Sequence, residues 1–273
     1  FISELHSKEV QKEEDEAKEK GVKTDITTLN GYPIASLNTP EVNDLKNAYH
    51  NAFSEYLAGF VYEALGSDLA LPSYKRAIEL KPESQVLKDA LTQVNSRNIN
   101  ENNSDVLLIV ENGVAPTITS ITVPLPIPKA GIVPISFPVI DSDPSSSIVG
   151  LNLKYADNKV VKLEKIANID AMAKKSLKDR LPGIMLRGVI RAAIKGASQA
   201  AVSQQNQAAG LLLNAVNVAT ESSDERIWKT LPSSISLARI SLPKGVNKLT
   251  LETSAGSREI SVDIKNKYEM VPV

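Results

Sequence analysis

Near residue 100 the spacing of apolar side chains changes from three or four residues to two, and no single type of secondary structure can follow both spacings. Upstream, "TPEVNDLKNAYHNAFSEYLAGFVYEAL" (residues 39–65) sets Val42, Leu45, Tyr49, Ala52, Phe53, Tyr56, Phe60 and Leu65 at helical steps. Downstream of the polar stretch "NINENNSD" (residues 98–105), the runs "VLLIVENG", "TITSITVPL", "SIVGLNLKY" and "KVVKLEKI" read as strands. The chain is therefore expected to be α+β, with a helical domain over residues 1–100 and a β-domain over residues 101–273. Its 273 residues are enough for two such domains.

In the first half, the mixed-charge run of residues 7–23 predicts an exposed helix ending at Gly21. Thr39 as N-cap, Pro40 at the first helical position and Glu41 in the first turn predict one helix from there to Gly66. A second helix is expected from Leu71 or Pro72 to Leu80, before Pro82, and a third that buries Val86, Leu87, Ala90, Leu91 and Val94. The small residues Gly59, Ala70 and Ala77 let paired helices approach closely, and Tyr62 and Tyr74 fill the space between them. Gly59, Tyr62 and Gly66 on the first helix, and Ala70, Tyr74, Ala77 and Pro82 on the second, resemble a tetratricopeptide repeat. The linker between Gly66 and Ala70 is one residue shorter than usual, and a single unit forms no superhelical groove, so a small tetratricopeptide-like domain is expected.

In the second half, "ADN", "PKG" and "SAG" mark turns, and "SISLARISL", "VNKLTLET" and "REISVDI" add a second set of strands. Seven strands at this spacing predict an immunoglobulin-like β-sandwich. An Ala- and Gln-rich stretch without strand pattern, at about residues 167–225, interrupts it and reads as two or more inserted helices. The stretch "TVPLPIPKAGIVPISFPV" carries Pro124, Pro126, Pro128, Pro134 and Pro138. Proline removes ladder donors, so this predicts an edge strand or a polyproline-like arm. The arm either lies over the sandwich or docks a partner through Val123, Leu125 and Ile127. Arg180, Arg187, Arg191 and Lys195 follow one side of an inserted helix, beside Ile184, Met185, Ile190 and Ile194. They form either the solvated face of a core helix or a surface for anionic lipid. Ala197, Ala200, Ala201, Ala208, Ala209 and Gly210 suit tight helix contact within one chain or between two copies, so a homo-oligomer stays open. Trp228, the only tryptophan, is expected to be a buried anchor between the insertion and the returning strand.

The net charge of −1 and an aromatic content of 4% supply neither the field nor the stacking surface for nucleic acid. Without cysteine there is no disulfide, thiol nucleophile or thiolate metal site, and His6 and His50 lack acidic neighbours at zinc-ligand spacing. "DSDPSSS" (residues 141–147) has paired acids but lacks the glycine and distal glutamate of a calcium loop, and reads as a turn. No nucleophile elbow, phosphate loop, dinucleotide fingerprint or H-E-x-x-H motif occurs. No catalytic residue, cofactor or metal is therefore expected, and no run reaches the ~20 apolar residues of a membrane span. The opening "FISELHSKEV" shows neither Met nor an apolar leader, so residue 1 is not expected to be the start of the gene product.

The segments "GYPIASLNTPEV", "NAYHNAFSEYLAGFVYEALG", "YKRAIEL", "DVLLIVENGVAP" and "LNAVNVATESSDERIWKTLPSSISLARISLPKGVNKLTL" together resemble an uncharacterised family of proteobacterial tetratricopeptide-like cell-envelope lipoproteins. The resemblance runs from about Gly31 to Leu251, and "DERIWKTLP" is its most distinctive part. It implies an exported protein of the periplasm-facing outer membrane, held by a lipid anchor upstream of residue 1, with other cell-envelope proteins as partners. It implies no reaction, cofactor or catalytic residue. The expected function is a non-enzymatic periplasmic scaffold or interaction subunit of an envelope assembly. The alternative is a cell-wall hydrolase or carbohydrate-binding protein, which two convergent acids in a cleft, such as Asp141 and Asp143, would favour.

Overall fold

The computed structural model describes Lys8, Lys12, Asp15 and residues 33–273, except 95, 97–98, 128–130, 143–149, 157 and 206–229. Of residues 125–127, 131–133, 186 and 189–205 it describes the backbone alone. Within these limits the protein is mixed α+β, with several helices and three sheets. Two compact units are each assembled from separated segments. The first comprises Phe1–Ala48, Thr117–Asp141 and Ala171–Ile227; the second comprises Tyr49–Pro116, Ser142–Asp170 and Trp228–Val273. Where the sequence suggests a boundary near residue 100, the structure groups the helices of residues 52–93 with strands from both ends of the β-region.

The helix expected over residues 39–65 divides in two, α1 (Pro40–Asn43) and α2 (Ala52–Ala64). The cause is local. Asn43, Asp44, Asn47 and Asn51 all have side chains that compete for backbone hydrogen bonds and disfavour helix interiors. The Thr39 side chain makes no capping bond, whereas Asn51 Oδ1 accepts from Ser54 N at 2.9 Å, so the long helix starts at Asn51. It ends at Gly66, whose φ of 67° lets Ser67 N reach Tyr62 O at 2.8 Å and Gly66 N reach Glu63 O at 3.0 Å. Next come α3 (Ala70–Leu80) and α4 (Gln85–Gln93). Pro72 sits in the first turn of α3, where a missing N–H costs nothing.

Ten strands follow in the described residues: β1 (Asn103–Asn112), β2 (Thr117–Ile127), β3 (Gly131–Asp141), β4 (Asn152–Tyr155), β5 (Lys159–Lys162), β6 (Glu164–Asn168), β7 (Ser234–Pro243), β8 (Gly245–Thr253), β9 (Gly256–Ile264) and β10 (Tyr268–Pro272). In the second unit one sheet has the order β10-β1-β7-β6 and the other β5-β4-β8-β9. β1 and β7 are antiparallel, and β10 joins β1 in parallel. β1 is buried almost throughout because both its faces are covered. Val106, Leu108 and Val110 meet Leu153, Leu249 and Leu251 of the other sheet in one apolar core. Leu107 and Ile109 instead meet Tyr56, Phe60, Tyr74 and Leu87 of the helices. "KVVKLEKI", expected as one strand, is split between the two sheets as β5 and β6. A bulge between Lys165 and Ala167 turns both Ile166 and Ala167 into the helix-facing core. The "PKG" and "SAG" turns end on Gly245 and Gly256, at φ 98° and 133°.

The described part of the first unit holds α1, the antiparallel pair β2–β3, and α5 (Ile169–Gln205), whose first two residues belong to the second unit. Over the described part of the expected insertion there is one 37-residue helix, which runs through Pro182; the rest of that stretch lies outside the described residues. Leu177, Leu181 and Met185 of α5 join Leu37, Val123, Ile135, Phe137 and Val139 in one core. A Cβ on Gly188 would stand 2.9 Å from the Ile135 side chain, so α5 approaches β3 closely there. The proline-rich stretch, expected as an edge strand or a polyproline-like arm, is a two-stranded ribbon that packs on α5. No helix among the described residues is long and apolar enough to cross a membrane. Of the charged run at residues 7–23, Lys8, Lys12 and Asp15 are helical and exposed, and the rest lies outside the described residues.

Candidate functional site

The α2–α3 pair is held by a close approach at Gly59. A Cβ there would lie 2.6 Å from the Tyr74 ring, so only glycine fits without displacing it. Tyr74, Ala70 and Ala77 are buried, and the Tyr74 ring stands 5.4 Å from that of Tyr56. Tyr62 is half-buried against the same core, Gly66 ends α2, and Pro82 is exposed just past α3. These are the residues that the repeat-like spacing singles out.

Beneath them is a group of charges that the spacing does not reveal. On β1, Asp105 shares a face with Leu107 and Ile109; on β7, Arg239 shares a face with Ile235 and Leu237. Leu107 lies opposite Arg239 and Asp105 opposite Ser241, so acid and guanidinium are diagonal neighbours. Arg239 Nε donates to both Asp105 oxygens at 3.0 and 3.1 Å, and Nη2 donates to Asp105 Oδ2 at 2.5 Å and Glu63 Oε2 at 2.9 Å. Nη1 donates to the Tyr74 hydroxyl at 2.9 Å, and that hydroxyl donates to Glu63 Oε2 at 2.6 Å. The guanidinium also lies 4.9 Å from the centre of the Phe60 ring. The three charged side chains are only 3–4% exposed, so the group is closed to solvent.

Burial works against the guanidinium charge, but the Asp105 hydrogen bonds and the neighbouring Tyr56 and Tyr74 hold its pKa above the ordinary arginine value. Burial also drives the Tyr74 phenol well above its usual range; Arg239 opposes this and Glu63 reinforces it. Tyr74 is therefore a hydrogen-bonded neutral phenol. The arrangement fastens the helix pair to the sheet: Glu63 and Tyr74 come from α2 and α3, Asp105 and Arg239 from β1 and β7.

Two other polar contacts hold the helices. Glu164 of β6 accepts from Ser84 Oγ at 2.6 Å, Gln85 N at 3.1 Å and Val86 N at 3.1 Å, placing a carboxylate on the α4 N-terminus. On the surface, Glu55 bridges His50 Nε2 and Arg76 Nε, each at 2.7 Å. Burial alone would raise the Glu55 carboxyl, but Arg76 and His50 hold it below the ordinary carboxylate value.

No family model, curated protein or solved structure matches the chain. The reading of function thus rests on the residues themselves.

The candidate interface residues fall into different settings. Val123 is buried in the ribbon–α5 core and is not presented to a partner. Arg187 is exposed on α5, whose Met185 is buried and Ile184 half-buried in the same core. The side chains of Leu125, Ile127, Arg191 and Lys195, and all of Trp228, lie outside the described residues. Asp141 is exposed at the end of β3, and Asp143 is also outside the described residues. Among the described residues no three His, Cys, Asp or Glu side chains gather as a metal site.

Sequence reasoning missed the apolar surface at the α2–α3 turn, having counted Leu65 only among the apolar residues at helical steps. Leu65 is 75% exposed and Leu69 53%, with Val61 and Leu71 partly exposed beside them in sequence. Val61 and Leu65 are one helical turn apart, and Leu65 and Leu69 flank the turn.

Proposed function

We propose that the protein is a non-enzymatic scaffold or interaction subunit of a bacterial cell envelope, built from a tetratricopeptide-like helix pair and an immunoglobulin-like sandwich with a helical insertion. The observation that carries this reading is the outward apolar group Val61, Leu65, Leu69 and Leu71 at the α2–α3 turn. A soluble surface tolerates single apolar residues, but several along one turn mark a contact site. The buried Arg239 group supports the same reading, because it fixes the helix pair on the sheet and so presents that turn rigidly. The envelope address, the outer-membrane lipid anchor and the envelope partners rest on the resemblance of the segments given above.

Replacing Leu65 and Leu69 together by Asp in the full-length gene product tests the reading. The thermal midpoint should stay within about 2 °C of the wild type, as for other surface changes. Proteins cross-linked to the wild type in envelope fractions should be lost from the variant. An unchanged set of cross-linked proteins would refute an interaction role for this turn. Recovery of the wild type in the cytosolic fraction alone would refute the envelope address.

A further inference from the structure

Helices at a water-facing surface carry charge on their outer side. α3 exposes Lys75, Arg76 and Glu79, and α4 exposes Lys88. α2 does not follow them. It turns Ala52, Tyr56, Gly59, Phe60 and Glu63 into the core. At about 100° per residue, its opposite face holds Ser54, Leu57, Ala58, Val61, Ala64 and Leu65. Ser54, Val61, Ala64 and Leu65 are exposed, and Leu57 and Ala58 are half-buried. No charged residue interrupts this face over the 13 residues of the helix, and the exposed Leu69 continues it past Gly66. A helix that is apolar on its outer as well as its inner side is suited to packing on both.

The face is complementary to itself. In an antiparallel pair of α2 helices centred on Val61, Leu57 of one copy meets Leu65 of the other, and Ala58 meets Ala64. The leucines supply apolar area, and the alanines let the helix axes approach to about 8 Å. The same pairing carries Asp68, in the turn after α2, to the N-terminal end of the other copy's α2, where the helix dipole favours an acid. Glu55 at that end is already matched by Arg76 Nε at 2.7 Å. An anionic membrane fits less well, because the face holds no Lys or Arg and Asp68 borders it. We infer that this face seats a second copy of the chain, with two α2 helices packed antiparallel across a two-fold axis at Val61. The inference rests on the interaction role proposed above and names the partner of that site. A 13-residue helix is about 20 Å long, so the contact is near the small end of specific interfaces and the dimer exchanges with monomer.

The chain has no cysteine, so a single introduced thiol can meet only its own counterpart in another copy. Val61→Cys sits on the proposed axis, and mild oxidation should convert it to a covalent dimer. Leu57→Cys and Leu65→Cys should each stay monomeric alone and give a mixed dimer when combined. Glu79→Cys, on the outer side of α3, controls for random collision and should stay monomeric. In sedimentation equilibrium the average mass of the wild-type chain should rise with concentration towards twice that of one chain. Leu65→Glu should hold it at the mass of one chain. A wild type with single-chain mass at every concentration overturns the inference, and so does a dimer that Val61→Cys fails to capture. Glu79→Cys cross-linking as fast as Val61→Cys, or Leu65→Glu associating like the wild type, overturns it too. The interaction role has its own readout: a wild type that is monomeric when pure, with envelope cross-links still lost from the Leu65 and Leu69 double variant, refutes the second copy alone.

Discussion

Arg239 holds two carboxylates and a phenol from three other elements, and its loss should be felt in all of them. Removing one partner of a buried ionic group leaves the opposite charge without compensation. Arg239→Met should therefore cost about 3–5 kcal/mol, read as a lower urea midpoint at unchanged slope. The triple variant Arg239→Met, Glu63→Leu, Asp105→Leu removes every charge and should recover most of that loss. A single variant that unfolds at the wild-type midpoint would contradict the closed geometry. The parity of these residues was visible in the sequence: Arg239 alternates with Ile235 and Leu237, Asp105 with Leu107 and Ile109. What hid the pairing was that the opposite parity, Ala238 and Ile240, Val106 and Leu108, is equally apolar. Nothing local says which face an element from elsewhere in the chain will cover.

Among the elements, α4 draws on a partner outside itself. It has nine residues, too short to persist alone in water, and Glu164 satisfies amides at its N-terminus from β6. Glu164→Ala should cost about 1–2 kcal/mol, with faster hydrogen exchange confined to α4. Wild-type exchange at Leu87 would show that Ser84 caps the helix unaided, through its own bond to Leu87 N at 3.4 Å. Helix existence and the Gly66 stop were legible because period and cap chemistry are local. The break between α1 and α2 was legible in principle, from the run of Asn and Asp, but the apolar period continued across it and masked it. For the ribbon the prolines announced an edge strand or an arm, and only the register shows β2 and β3 paired with each other.

Across the whole second unit, the helices and the central sheet share one apolar core. Tyr56, Phe60, Tyr74 and Leu87 meet Leu107, Ile109, Ile166 and Leu237 without a layer between them. The helices of residues 52–93 should therefore not melt alone. In native-state hydrogen exchange against denaturant, the α2, α3, β1 and β7 amides should converge on one opening free energy. A separate, lower isotherm for α2 and α3 would mean an independent helical domain ending near residue 100. The sequence by itself determined most of the helices and strands, though neither the break between α1 and α2 nor the division of β5 from β6, and it determined where Gly66, Gly245 and Gly256 turn the chain, because period, cap and φ preference act over a few residues. Only the tertiary structure decided that Arg239 closes on Glu63 and Asp105, that Val123 is covered by α5, and that Leu65 and Leu69 are not covered. Those outcomes depend on which distant surface arrives at each face, and burial free energy is proportional to area without direction, so it leaves no mark in local spacing.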